Sequence, residues 1–315
     1  MSKFQQTAAA VARFARVVDP GPVSDADLYR VHTRDYVQSI RTGVFNELTR
    51  QRLGLPWSPQ LSRRSHHATQ GTVLAARAAL SEGLAVNLAG GTHHAFPDSG
   101  QGFCVFNDVA VAVRSLLHDD PLYQIMVADL DAHQGNGTHF IFRDDPRVFT
   151  YSLHVGRNYP SVKVPGSLDV ELERFAPSAR FFEKLLETLP AAVETFEPDI
   201  VFYVAGVDVH RDDRFGQMML STAEVAARDR WTLDLLRDWG IPTVVVYGGG
   251  YHRVAGMTAV LHVQTVHVTA ARLARERGLP PPPPLDTVLR GFDWVPPEAL
   301  EACGRTAWEA LSVPL

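Results

Sequence analysis

In Gln124-Ile125-Met126-Val127-Ala128-Asp129-Leu130-Asp131-Ala132-His133 an unbroken apolar run gives way to three polar side chains at every second position. A strand that is apolar through its length is covered on both faces, as in a parallel sheet. Alternate side chains of extended backbone share a face, so Asp129, Asp131 and His133 point the same way. Burying two carboxylates side by side without a cation is costly. An Asp/His set with one more distant carboxylate suits a divalent ion such as zinc with an open coordination position.

Four further apolar runs have the same character: Ala85-Val86-Asn87-Leu88, Val148-Phe149-Thr150-Tyr151, Ile200-Val201-Phe202-Tyr203-Val204 and Thr243-Val244-Val245-Val246-Tyr247. The spacing predicts helices over Asp108–Leu117, Ser178–Thr195, Thr222–Trp239 and Met257–Arg277. Strands alternating with helices predict an α/β sandwich with a parallel sheet covered on both sides. The first 80 residues read as mostly helical, over Ala8–Val18, after a Ser24 cap, and over Thr69–Ser81, with His66-His67 as structural residues in the polar lead-in. One catalytic-sized domain is expected over residues 1–278. Residues 279–315 open with Pro280 to Pro284, which cannot continue a helix and predict an extended strap. Leu300, Cys303, Trp308 and Leu311 then predict one apolar side of a C-terminal helix docked on the domain.

Four strand ends carry polar or glycine clusters: Ala89-Gly90-Gly91-Thr92-His93-His94, Asp129 to His133, Ala205-Gly206-Val207-Asp208 and Gly248-Gly249-Gly250-Tyr251. The carboxyl ends of parallel strands lie along one edge, where open α/β folds place their sites, so these clusters should meet. Asp208, which alone could be a helix cap or a solvated turn, is then the third ligand beside Asp131 and His133. His93 and His94 follow two glycines with no room for a helix. Hydrolysis of an amide by metal-activated water needs a neutral base and then an acid for the leaving amine, duties that two adjacent imidazoles can divide. The glycine triplet by itself is only a turn, and Tyr251 could equally be a core aromatic or a donor to a developing oxyanion.

The 315 residues are 45% hydrophobic and 21% charged, enough for a sizeable core, and the formal net charge of −5 comes without a basic stripe. Nucleic acid is therefore not expected as a direct partner. Cys104 and Cys303 are too few for a disulfide framework and predict a reducing, cytoplasmic setting. Met1-Ser2-Lys3-Phe4 lacks an apolar export segment, and nowhere do about 18 apolar residues run together, so neither export nor membrane insertion is expected.

With Gly102-Phe103-Cys104-Val105-Phe106-Asn107-Asp108, the continuation Gln134-Gly135-Asn136-Gly137 and the front segment Val31-His32-Thr33-Arg34-Asp35-Tyr36, these clusters stand in the order found in histone deacetylases. The chain resembles the class IV branch and its bacterial relatives from about Val11 to about Arg277. The resemblance implies the arginase/deacetylase fold, a three-layer sandwich around a mainly parallel eight-stranded sheet. It implies one Zn2+ on Asp131, His133 and Asp208, His94 as general base and then acid, His93 as a helper oriented by Asp129, and Tyr251 as oxyanion donor. Gly102 would hold the substrate amide through its carbonyl, Phe103 and Tyr159 would wall the tunnel, and Phe215 and Gly249 would also touch substrate. A structural K+ or Na+ would lie at Asp129 and Ser152 with backbone oxygens of Asp131, His133 and Leu153.

Two departures from the family pattern carry expectations. Asn136 stands where class I members place an aspartate behind the second histidine, so the partner of His94 is neutral and should stabilise its charged form less. Relatives also carry a short strand and loop ahead of the first helix, and this sequence begins within that region, so either its start lies downstream of the natural one or the pocket is more open there. The implied substrate is an acyl-lysine in a protein or peptide, with acetylpolyamines or other small acylated amines as the alternative. The sequence leaves the oligomeric state open. An arginase-like dimanganese site would need more carboxylates than Asn136 and Val209-His210 offer. A non-catalytic acyl-lysine binder would be expected to have lost one of the six site residues, and all six are present.

Overall fold

The computed structural model describes residues 2–45 and 47–304. Its strands are β1 (Leu84–Asn87), β2 (Ile125–Asp129), β3 (Val148–Val155), β4 (Leu168–Leu172), β5 (Ile200–Val204) and β6 (Thr243–Val246). They form one parallel sheet in the order β1-β6-β5-β2-β3-β4. The helices are α1 (Ser2–Val11), α2 (Asp25–Leu28), α3 (Arg34–Thr42), α4 (Glu47–Leu53), α5 (Pro59–Glu82), α6 (Asp108–Asp119), α7 (Asn136–Phe142), α8 (Ser178–Phe196), α9 (Thr222–Asp238), α10 (Met257–Glu276), α11 (Leu285–Leu289) and α12 (Pro297–Gly304).

The sheet separates two cores, and the strand period decides which residue enters which. Ile125, Val127, Ile200, Phe202, Val204, Val244 and Val246 face the layer built from α5 and α6. Met126, Ala128, Val201, Tyr203 and Val245 face α8, α9 and α10. That is why these strands are apolar throughout. Fully burying a side chain such as Phe202 contributes about 1.5–3 kcal/mol.

Helix starts follow local chemistry. Ser221 and Glu224 close a capping box on α9, and Asn107 caps α6 by accepting from the Ala110 amide at 2.9 Å. Ser58 accepts from the Leu61 amide at 3.0 Å with Pro59 in the first turn, so α5 begins ten residues before the alanine-rich Thr69–Ser81. His66-His67 thus lie on the helix rather than ahead of it. The first helix is Ser2–Val11 and not Ala8–Val18: Thr7, Ala10 and Val11 are its buried residues, while Val17 and Val18 lie exposed beyond it.

The described residues form six strands rather than eight. β4 escapes a search for continuous apolar runs because Leu168-Asp169-Val170-Glu171-Leu172 alternates, as a sheet edge with one covered face does. After Pro280–Pro284, Val288, Leu289 and Ala299 return to the core on the α8–α10 side. Of the C-terminal positions expected on an apolar face, Leu300 and Cys303 pack against that core, and Trp308 and Leu311 lie outside the described residues.

Strand order places the site. From β2 the chain steps to β3 on one side, and from β5 it steps to β6 on the other, so β2 and β5 are neighbours from which connections diverge. Such a divergence leaves a crevice beyond the strand ends. Asp129 pairs in register with Val204, which brings Asp131-Ala132-His133 beside Ala205-Gly206-Val207-Asp208.

Candidate active site

At that crevice the ligand atoms of Asp131, His133 and Asp208 lie within 4.8 Å of one another, and all three residues are buried. His133 Nδ1 is 2.9 Å from Asp208 Oδ2 and 3.2 Å from Asp131 Oδ1. Backbone amides fix both carboxylates: Gly249 donates to Asp131 Oδ2 at 2.6 Å, and Ala132 donates to Asp208 Oδ1 at 2.9 Å. Burial and the adjacent Asp131 hold the Asp208 carboxyl above its ordinary range. Two buried carboxylates and an imidazole, one side of each turned to a common point, fit a divalent cation that would relieve this repulsion.

The paired histidines stand beside this cage. His93 Nδ1 donates to Asp129 Oδ2 at 2.6 Å, and Asp129 Oδ1 accepts from the Asp131 amide at 3.1 Å. Burial opposes a charged His93, but Asp129 and Asp131 outweigh it and raise the group to about 9. His94 is held well below its usual range by burial and then by His93 and His133. Its Nδ1 is 2.8 Å from Asn136 Oδ1, an oxygen that can only accept, so Nδ1 carries the proton and Nε2 the lone pair. That Nε2 lies 3.1 Å from His93 Nε2. The geometry brings a neutral imidazole, His94, into contact with one whose charged form Asp129 favours, His93.

Asp108 sets the loop that carries both histidines. Its carboxylate accepts from the amides of Gly91 at 3.1 Å and Thr92 at 2.7 Å, and from the hydroxyls of Thr92 and Thr72. Gly91 has φ +87, and a Cβ there would also meet the Gly248 amide nitrogen at 2.2 Å, so glycine lets the two glycine loops close on each other.

A cavity of about 880 Å³ opens over these groups. His93, His94, Asp131, His133, Asp208, Gly102, Phe103, Tyr159, Phe215, Gly249 and Tyr251 all reach it. The Tyr251 ring centroid lies 5.6 Å from that of Phe103 and 5.2 Å from that of Phe215. Tyr251 is therefore a pocket wall and not a core aromatic. Burial pushes its phenol up, keeping it a neutral donor. Tyr159 stands edge-on to His94 at 4.9 Å, and a Cβ on Gly102 would meet both rings. Asp129 and Asn136 lie behind the histidines. Ser152 is the register partner of Asp129 and is buried with Leu153 below the pocket.

Sequence reasoning passed over several contributors. Asp213 accepts from the amides of Phe215 at 2.8 Å, Gly216 at 3.0 Å and Tyr251 at 2.5 Å, and so joins two walls. Asp108 was legible as part of a motif but not as a loop anchor. Lys3 and Arg64 also line the cavity, with nothing in their own neighbourhoods of sequence to announce it.

A second group, His210, Asp212 and His252, is also close enough to hold a metal. Its imidazole lone pairs are already in use, since Nδ1 of His210 accepts from the Asp212 amide at 3.1 Å and Nδ1 of His252 from the Val254 amide at 3.0 Å.

Residues 2–267 match the family profile described as the histone deacetylase domain. The chain belongs to the histone deacetylase family. It is 42% identical over 236 residues to an uncharacterized protein of Picosynechococcus sp., covering 75% of this chain and 79% of that one. It is 30% identical over 252 residues to histone deacetylase 2 of Arabidopsis thaliana, covering 75% and 63% respectively. Acetoin utilization protein AcuC of Staphylococcus aureus is 27% identical over 264 residues, covering 76% and 67%. In fold, this histone deacetylase family member superposes on the crystal structure of an HDAC homolog from Aquifex aeolicus with a TM-score of 0.74 at 24% identity, over 93% of this chain and 82% of the other. The same fold is found in an HDAC homolog complexed with SAHA, at a TM-score of 0.73 and 24% identity, over 93% of this chain and 82% of that one. No helix among the described residues is long and apolar enough to cross a membrane.

Proposed function

We propose that the protein is a zinc-dependent amidohydrolase that removes acyl groups from the ε-amine of acyl-lysine in proteins or peptides. The observation that carries this is the contacting imidazoles of His94 and His93, tied to Asn136 and Asp129 and placed beside the Asp131, His133 and Asp208 cage under Tyr251.

Asp131, His133 and Asp208 would hold the ion, which when bound supplies Lewis-acid polarisation of the scissile carbonyl and of the attacking water. His94 Nε2 takes the proton of that water and returns it to the leaving amine as the C–N bond breaks, giving a carboxylate and a free lysine. His93, oriented by Asp129, supplies positive charge next to the reacting atoms. The Tyr251 hydroxyl donates to the carbonyl oxygen as it gains charge, and being uncharged it does so without desolvating a phenolate. The Gly102 carbonyl accepts the substrate amide N–H, while Phe103, Tyr159 and Phe215 wall the lysine methylenes and Gly249 lines the floor. A K+ or Na+ at Asp129 and Ser152, with backbone oxygens of Asp131, His133 and Leu153, would brace the ligand loop from below. Cys104 is buried, with its thiol pushed up to about 12 by burial, and this unreactive pair of cysteines suits a reducing cytoplasm.

The test is a panel of acylated lysine peptides and acylated polyamines read by mass shift, with and without chelator. Chelator-sensitive deacylation of the peptides supports the proposal. Action on polyamines alone would move the substrate to small amines, and a protein inert on every acylated amine would reduce the site to a binding module.

A further inference from the structure

Lys3 and Arg64 bring two cations to the wall of the pocket with no ion-pair partner among the described residues. Lys3 projects from α1, and its Nζ lies 5.2 Å from the centroid of the Phe4 ring and 5.5 Å from that of Tyr251. Arg64 projects from α5, with its guanidinium carbon 5.0 Å from the Phe4 centroid. Both cations thus flank one aromatic ring beside the Tyr251 phenol, and Arg64 disfavours the charged form of Lys3. The Nε of Arg64 is shut off from water and has no hydrogen-bond partner among the described residues. Burial has pushed the Lys3 amine down to about 8.

The carboxylates within electrostatic reach of Lys3 are Asp208, Asp131 and Asp213. The first two belong to the ion cage, and an ion there would cancel their charge toward Lys3. Asp213 is committed to the amides of Phe215, Gly216 and Tyr251. A guanidinium and a half-buried ammonium on one pocket wall together form a receptor for a carboxylate, which can bridge them with charge-assisted hydrogen bonds. An acyl carbonyl placed at the Tyr251 hydroxyl stands on the same pocket wall as these cations, Lys3 Nζ lying 5.5 Å from the Tyr251 ring centroid.

Building on the deacylase reading, we propose that the acyl group accepted here ends in a carboxylate, of the succinyl or glutaryl class, held between Lys3 and Arg64. The pair acts as the specificity determinant for the acid end of the acyl chain, and a neutral chain of equal length leaves both cations unmatched.

One lysine peptide carrying acetyl, succinyl, glutaryl or pentanoyl groups tests this, pentanoyl being the neutral chain of glutaryl length. With the ion-loaded protein, kcat/KM for the better acidic acyl group should exceed that for pentanoyl at least tenfold. Lys3→Met and Arg64→Met should each lower the ratio several-fold, and Arg64→Lys, which keeps a charge, should preserve more of it than Arg64→Met. A wild type that prefers pentanoyl to both acidic groups overturns the proposal while leaving the deacylase reading intact. Calorimetric binding of glutaryl and pentanoyl peptides to Tyr251→Phe provides a readout without turnover. Tighter glutaryl binding supports the carboxylate receptor, and equal affinities overturn it. If none of the four peptides is cleaved, the deacylase reading fails, and the binding comparison still decides whether the cation pair recognises an acid.

Discussion

The side-chain oxygen of Asn136 lies 2.8 Å from Nδ1 of His94 and fixes its tautomer without adding charge. An aspartate there would keep the hydrogen bond and add a negative charge that favours the protonated imidazole. His94 must be neutral to accept a proton, so raising its pKa removes the active form at low pH. Asn136→Asp should therefore move the acid limb of the kcat/KM profile to higher pH, by about one to three units if the new carboxylate stays ionised. Superimposable profiles from two ion-loaded proteins would show that this contact does not govern the base.

Tyr251 touches two aromatic walls, and no cage contact is assigned to it. Tyr251→Phe should leave fold and bound metal unchanged and lower kcat on the order of 10²-fold or more, about 3 kcal/mol of transition-state stabilisation. Steady-state rates with parallel elemental analysis check it. Full turnover in the variant would remove the hydroxyl from the mechanism.

Asp208 should behave differently, because its carboxylate both completes the cage and accepts from the Ala132 amide. Asp208→Ala should lose activity and metal together. The unaltered protein should carry one divalent equivalent per chain. Two equivalents of manganese would point instead to a dinuclear centre.

Asp108 is the stability test. Asp108→Ala leaves the Gly91 and Thr92 amides and the Thr72 hydroxyl without their acceptor in the interior, while the Thr92 hydroxyl keeps the Phe106 carbonyl. At about 1–3 kcal/mol for a buried orphaned group, the total should be on the order of 3–5 kcal/mol. That corresponds to a fall of roughly five to eight degrees in Tm. A scanning calorimetry trace that shifts by only a degree would mean that the loop is anchored elsewhere.

Legibility from sequence followed locality. Asp129, Asp131 and His133 announce themselves because a strand spaces them by two, and Asp208 and Tyr251 because each follows an apolar run. The five apolar strands are legible for the same reason. β4 was missed because one of its faces is open, and the start of α5 because Ser58-Pro59 marks it and its alanines do not. Lys3 and Arg64 could not be found by pattern: each sits among ordinary helical residues, and only the approach of α1 to α5 and the Gly248–Tyr251 loop brings either of them to the pocket.

The ion cage depends on two neighbouring strand ends, β2 and β5, whereas the pocket walls come from α1, α4, α5 and the segments carrying Phe103, Tyr159, Phe215 and Tyr251. On the proposed function, chemistry and selectivity therefore draw on different parts of the chain. Insertions or substitutions in any one wall can drift and be selected while the sheet holds the reacting groups still, so lineages sharing this scaffold are free to diverge in diet without reinventing the reaction.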